Sequence, residues 1–336
     1  MENIFKNKKI LVTGGTGMIG RYLVEALLAR QAQVRIASLD DPSRAHPDAE
    51  FRKTDLTRFD ECLKACAGRD FVFHLAGIKG SPMMAAKKPA SFFVPTIVFN
   101  TNMMEAARQT GASRYLYTST IGVYAPAEIF HEDDVWKTFP SDNDRFAGWA
   151  KRMGELQAEA YRIEHGWKGI SIVRPANVYG RYDNFDPNNA MVVPSLIKRA
   201  VDGEDPLTVW GDGSPIRDFI HASDVARGML LVVEKGETRP VNLGSGTGVS
   251  VKRIVDIICG NLEKKPKVVW DKSKPSGDKI RLMDIARARR LGFSPQVTIE
   301  EGVADAMAWH KANRTADAKR YNVFTEKKLM SAKARR

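Results

Sequence analysis

The segment Thr13-Gly14-Gly15-Thr16-Gly17-Met18-Ile19-Gly20 constrains this chain most. It stands between a short apolar run, Lys9–Thr13, and a helical pattern from Met18 to Arg30. Its glycines at 14, 17 and 20 fit G-x-x-G-x-x-G. Gly14 permits a tight turn, and Gly17 lets the backbone approach a pyrophosphate, whose charge is favoured at a helix N-terminus. Gly20 allows close packing of helix on strand. Glycine spacing alone is a weak signal, but the strand–turn–helix context strengthens it. The turn therefore predicts a dinucleotide site that includes Gly14, Thr16, Gly17, Met18 and Ile19.

The rest of the first half supports a sheet for that turn to sit on. Gln33–Ala37, Phe71–Leu75, Arg114–Ser119 and Ile170–Arg174 read as strands, with helical stretches at Arg58–Ala67, Ile97–Thr110 and Arg145–His165. Alternating strands and helices predict an α/β chain, a doubly wound parallel sheet of Rossmann type. After Arg174, loops rich in Pro, Gly and Asn become frequent, and helices are expected at Val193–Val201, Ser223–Lys235, Ser250–Leu262 and Ile299–Lys311. This predicts a nucleotide-binding domain over 1–175, with crossovers to about 245, and a smaller C-terminal α/β substrate lobe over 176–312. A basic, flexible tail is expected over 313–336.

Charge and composition narrow the partners. The 336 residues carry 52 Lys+Arg against 40 Asp+Glu, formally +12. Residues 311–336 hold nine basic and two acidic side chains, so the tail supplies much of the excess. A basic balance points to anionic partners. Nucleic acid is not expected, because no recognised nucleic-acid motif accompanies the charge. No membrane association is expected either: the longest uncharged run, Pro89–Met104, has 16 residues and contains Pro95 and Asn100, whereas a spanning helix needs about 20 apolar residues. Three cysteines, Cys62, Cys66 and Cys259, are too few for a disulfide framework and have no histidine cluster for a metal. No metal is expected, and the reading is a reduced, cytoplasmic protein.

Several further motifs carry a resemblance. The Asp55-Leu56-Thr57 step, His74-Leu75-Ala76-Gly77 and Arg174-Pro175-Ala176-Asn177-Val178-Tyr179-Gly180 resemble an extended short-chain dehydrogenase/reductase. The stretches 177–187, Val209–His221 and Asp271–Pro275 are similar to those of GDP-fucose synthases, which act on GDP-linked 4-keto-6-deoxy sugars by epimerisation and reduction. The resemblance runs from about Lys8 to about Ala312. It implies an NAD(P)-dependent nucleotide-sugar epimerase, reductase or dehydratase, with a GDP-sugar favoured and a homodimer built on two paired helices. The dinucleotide would also meet Ser38, Asp55, Leu56, Leu75, Ala76, Gly77 and Lys151. The choice between NAD and NADP stays open: Ser38 stands where an acid commonly grips the ribose, Asp40 is an alternative, and Ser38 with Arg35 or Arg44 suits a 2′-phosphate.

The resemblance also defines a catalytic pattern with a gap. Thr120 falls at the hydroxyl that orients the sugar oxygen, and Lys151 at the lysine that binds the nicotinamide ribose. The tyrosine that ordinarily transfers the proton is replaced by Ala147, which cannot do so. The cysteine and histidine of GDP-fucose synthases match Gly122 and Met191, and an asparagine common on the fourth helix matches Thr96. Tyr124, Tyr179, His131 and Glu128 are the substitute acid/base candidates nearest in sequence. Three explanations fit: a diverged enzyme with another acid or base, an introduced Tyr-to-Ala replacement, or a catalytically impaired protein that binds dinucleotide and nucleotide sugar. On the substrate side the resemblance implies Asn177, Val193, Lys198, Trp210, Arg217 and Arg281. A guanidinium suits diphosphate oxygens. The plainer alternatives are a structural Arg–Asp pair at Arg217, a solvated charge at Lys198 and a core position for Trp210.

Overall fold

The computed structural model describes residues 3–78, 82–186, 189–274, 278–315 and 320–322. The chain opens with β1 (Lys9–Thr13), α1 (Met18–Ala29), β2 (Gln33–Ser38), β3 (Glu50–Lys53), α2 (Phe59–Cys66) and β4 (Phe71–His74). Next come α3 (Pro82–Lys87), α4 (Pro89–Gln109), β5 (Arg114–Thr118), β6 (Ile129–Phe130), α5 (Arg145–His165) and β7 (Ile170–Pro175). The second half contains β8 (Asn177–Tyr179), α6 (Val192–Val201), β9 (Leu207–Trp210), β10 (Ile216–His221), α7 (Ala222–Glu234) and β11 (Val241–Leu243). It ends with β12 (Gly248–Ser250), α8 (Val251–Gly260), β13 (Val268–Asp271), β14 (Ile280–Met283), α9 (Ala286–Arg290) and α10 (Ile299–Ala312).

Seven strands form one sheet in the order β11-β7-β5-β4-β1-β2-β3, with every pair parallel. Ile10, Leu11 and Val12 of β1 are buried, as a strand covered on both faces requires. Helices α1 and α7 pack together on one face, over a core that includes Leu23, Val24, Met229 and Leu230. Helices α2, α4 and α5 cover the other, over Met103, Met104, Tyr115 and Tyr117. The chain steps outward from β1 through β2 to β3, then returns to the opposite side of β1 with β4. That reversal opens a crevice beyond the C-terminal ends of β1 and β4.

A second sheet, β12-β10-β14-β6 with β8 also on β10, and a separate β9–β13 pair form the smaller lobe with α6, α8 and α10. Strand β10 runs antiparallel to β12 and parallel to β14 and β8. Helix α10 starts in a capping box, with Thr298 and Glu301 exchanging side-chain and backbone hydrogen bonds. Among the described residues, no helix is long and apolar enough to cross a membrane.

One sequence expectation needs correction. The helix expected from Ile97 begins at Pro89, eight residues earlier, and carries Pro95 in its interior. An interior proline costs a helix about 3 kcal/mol. Here Phe92 and Pro95 are buried, and that packing holds the early turns together. Within the basic tail, Arg320 donates to the carbonyls of Tyr182 and Asp183 at 2.6 and 3.0 Å, and the Tyr321 amide donates to Asp40 Oδ1 at 2.7 Å. Residues 316–319 and 323–336 of that tail lie outside the described residues.

Candidate active site at the sheet crevice

A cavity of about 450 Å³ occupies the crevice. Every residue assigned to the dinucleotide lines it: Gly14, Thr16, Gly17, Met18, Ile19, Ser38, Asp55, Leu56, Leu75, Ala76, Gly77 and Lys151. The glycine turn is shaped for close approach. Gly14 has φ +68°, and a Cβ there would lie 3.1 Å from the Ala76 backbone. A Cβ on Gly20 would sit 2.2 Å from the Gly14 carbonyl oxygen, an impossible contact. Bare backbone therefore lines the start of α1, as a pyrophosphate cradle needs. The buried Thr118 hydroxyl lines the same cavity and has no hydrogen-bond partner among the described residues. These features fit a nicotinamide dinucleotide.

Beyond the turn, Thr16 donates to Asp40 Oδ2 at 2.7 Å, and Ser38 Oγ lies 2.9 Å from Thr16 Oγ1. Asp40 also faces Arg44 at 3.5 Å. Arg35, one of two arginines considered for a 2′-phosphate, points elsewhere: it pairs with Glu50 at 2.8 Å and donates to the Ala65 carbonyl. Asp40 and Ser38 therefore form the polar end of the cavity near β2, and Arg44 pairs with Asp40 outside its lining.

Lys151 and Thr120 line the opposite part. The Lys151 Nζ donates to the Thr118 carbonyl at 2.8 Å and reaches Asn100 Oδ1 at 3.5 Å. One edge of the residue faces the cavity while its amine lies deep in the wall. Burial there pulls the amine down to about 7, opposed by the charge of Glu155. Asn100 Oδ1 also receives His74 Nε2 at 2.9 Å. Thr13 Oγ1 accepts the Leu75 and Ala76 amides, so its hydroxyl is free to donate to His74 Nδ1 at 2.8 Å. Burial, and secondarily the Lys151 charge, push His74 down to about 3, so the ring is neutral. The chain Thr13–His74–Asn100–Lys151 thus ties the strand before the glycine turn to the lysine. No local signal in the sequence marked His74 or Asn100 for this role.

The segment carrying Thr120 is anchored from below. Glu155 accepts Ser119 Oγ at 2.5 Å and a two-pronged contact from the fully buried Arg174, at 2.9 and 2.6 Å. Thr120 caps the following 3₁₀ turn, accepting the Gly122 amide at 3.2 Å. Ala147 is half-buried on α5, one helical turn before Lys151, and does not line the cavity.

None of the four substitute acid/base candidates reaches the cavity. Tyr124 is buried, donates to Asn242 and accepts from Arg174. Tyr179 is buried with its hydroxyl 3.5 Å from the Thr298 carbonyl. His131 is held by Asp284 at 2.9 Å, and Glu128 is exposed beside β6. Sequence proximity to the Thr120 and Asn177 motifs was a poor guide because Tyr124 and Tyr179 are taken up by packing, while His131 and Glu128 lie at the surface.

The residues assigned to the substrate are not in this cavity but in the adjoining lobe. Arg217 and Arg281 are register partners on β10 and β14. Arg217 forms no pair with Asp218, whose carboxylate takes the Ser245, Gly246 and Met283 amides. Burial, then the neighbouring Arg281 charge, lower the Arg217 guanidinium. Asn177 donates to the Asp218 carbonyl at 2.9 Å. Trp210 is 55% exposed, so it is not a core residue, and Lys274 Nζ lies 5.9 Å from its ring centre. Val193 is packed in the lobe core, and Lys198 pairs with Asp202 at 2.7 Å. Residues absent from the sequence expectation also line the cavity: Asp183, Asn184, Asp186 and Asn189 after β8, and Arg320, Tyr321 and Asn322 from the tail.

Residues 10–244 match the model of the NAD dependent epimerase/dehydratase family. The chain belongs to that family. A probable GDP-L-fucose synthase of Oryza sativa subsp. japonica is 30% identical over 320 residues, 92% of this chain and 93% of the relative. A dTDP-4-dehydro-6-deoxy-D-allose reductase of Streptomyces bikiniensis is 28% identical over 319 residues, 90% of this chain and 96% of the relative. Among solved structures, an epimerase of Methanothermobacter thermautotrophicus superposes with a TM-score of 0.81 at 27% identity, covering 94% of this chain and 96% of that one. This epimerase/dehydratase chain therefore shares its parallel sheet and smaller lobe with solved epimerases, and its relatives are NAD(P)-dependent nucleotide-sugar epimerases and reductases.

Proposed function

We propose that this chain is an NAD(P)-dependent enzyme that epimerises or reduces a nucleoside-diphosphate sugar, with a GDP-linked 4-keto-6-deoxy sugar favoured. The carrying observation is the single cavity that holds the glycine turn at one end and Thr120 with Lys151 at the other. Bound there, the dinucleotide supplies hydride exchange with a sugar carbon. The glycine turn and the N-terminus of α1 hold its pyrophosphate, Asp55 and Leu56 flank the adenine, and Lys151 meets the nicotinamide ribose. Asp40 beside Ser38 favours NAD, because a carboxylate suits ribose hydroxyls. Thr120 orients the reacting sugar oxygen. Arg217 and Arg281 meet the sugar diphosphate; two half-buried guanidiniums side by side are stabilised by an anion between them. Ala147 supplies no proton, so another group does.

We also infer a cytoplasmic homodimer. Helices α4 and α5 pack side by side and expose Val94, Phe146, Leu156 and Ile163, apolar surface suited to a second copy. The three cysteines are free and buried, in keeping with a reducing compartment.

The test is to mix the protein with GDP-4-keto-6-deoxymannose and either NADH or NADPH. Steady loss of the reduced nicotinamide with a new sugar product is expected, faster with NADH. Tight dinucleotide binding without turnover would instead favour a protein that only binds its two nucleotides, the reading that Ala147 alone suggests.

A further inference from the structure

We propose that Asp144, at the N-terminus of α5, is the group that exchanges the proton with the substrate, in place of the missing phenol; this rests on the function proposed above. Asp144, Ala147 and Lys151 are spaced i, i+3 and i+7, so they share one face of α5. That face is pressed against the Thr120 turn. A Cβ on Gly122 would meet Asp144 Cβ at 3.3 Å and Oδ1 at 3.4 Å, and a Cβ on Gly148 would meet the Gly122 carbonyl oxygen at 2.3 Å. Glycine at 122 is what lets the carboxylate approach the turn whose amide Thr120 caps.

The two carboxylate oxygens have different surroundings. Oδ2 takes Arg281 Nη2 at 2.9 Å and Ser141 Oγ at 3.3 Å. Oδ1 faces Gly122 and has no hydrogen-bond partner among the described residues. The carboxylate is 31% exposed, so a ligand can reach it. Arg281 in turn is the register partner of Arg217 on the substrate side. Asp144 is outside the lining of the dinucleotide cavity, on the side of the Thr120 turn that faces the paired guanidiniums, held by one oxygen and open at the other. The step is a proton transfer: the sugar O–H bond breaks, its electron pair stays on the sugar oxygen, and the proton bonds to Oδ1. The hydride released from that carbon goes to the oxidised nicotinamide dinucleotide of the proposed reaction; reduction runs the same transfer backwards.

The test compares the parent with Asp144→Asn and Asp144→Ala. Calorimetry with GDP reports whether each variant keeps its substrate pocket, and affinity within about threefold of the parent is expected. Turnover of GDP-4-keto-6-deoxymannose with reduced nicotinamide should fall about 10²–10⁴-fold in kcat, with KM little changed. Added formate should restore at least about tenfold of the Asp144→Ala rate, because a small carboxylic acid can occupy the vacated space. A variant that keeps the parent kcat, or one whose loss is not rescued by formate, overturns the assignment and leaves the proposed reaction standing. A parent with no turnover overturns both.

Discussion

Lys151 shows how far one buried side chain can be read. The sequence marked it by its place on α5, but only the folded chain shows the amine buried against the Thr118 carbonyl and pulled down to about 7. An unfolded lysine titrates near 10.4. Between about pH 7 and 10, the unfolded chain therefore holds a proton at this site that the native chain lacks, so the native state gains stability as pH rises. Replacing Lys151 with Met removes that dependence. In denaturant melts of the cofactor-free protein, the stability of Lys151→Met relative to the parent should decline as pH rises from 7 to 9, by on the order of 1 kcal/mol per unit. A constant difference would mean that the amine is solvated in the native state. Asp144 was invisible at this scale, because its value comes from Gly122, 22 positions away in sequence, and from Arg281 on another sheet.

The elements were legible where their pattern was strong. The strand–turn–helix at Lys9–Ala29 follows from an apolar run, three spaced glycines and an amphipathic helix, and all three signals agree. Strand β3 gave no such signal: its residues Glu50-Phe51-Arg52-Lys53 lie at the sheet edge and are mostly charged. Helix α4 extends back through Pro95 to Pro89, because the cost of the interior proline is offset by burial that only tertiary packing reveals. The glycine turn supports a sharp prediction. Gly20→Ala places a Cβ into the Gly14 carbonyl, so either α1 or the turn must shift. Dinucleotide affinity, measured by calorimetry, should fall at least about 100-fold, with a loss of stability of about 1–3 kcal/mol. Unchanged affinity would show that the pyrophosphate does not use this turn.

Across the whole molecule, the crevice arises from strand order, which the sequence implied only through its alternation of strands and helices. The cavity residues come from at least five separated segments, and the tail residues Arg320–Asn322 close part of its wall from at least 280 positions away from Asp40. No periodicity announces such a contact. The exposed apolar face of α4 and α5 belongs to this scale as well. Ile163, 78% exposed, and Leu156, 45% exposed, should lie against a second copy. Light scattering of the Leu156→Asp/Ile163→Asp double variant should give a monomer where the parent gives a dimer. A monomeric parent would remove that interface from the account. The central claim is hydride exchange between a nicotinamide and a nucleotide sugar in the crevice, and one isotope experiment tests it most directly. Reduced nicotinamide dinucleotide deuterated at C4 is mixed with the protein and GDP-4-keto-6-deoxymannose, and the product is read by mass spectrometry. One deuterium on the sugar is expected. A protein that binds both nucleotides yet yields no deuterated sugar would contradict it.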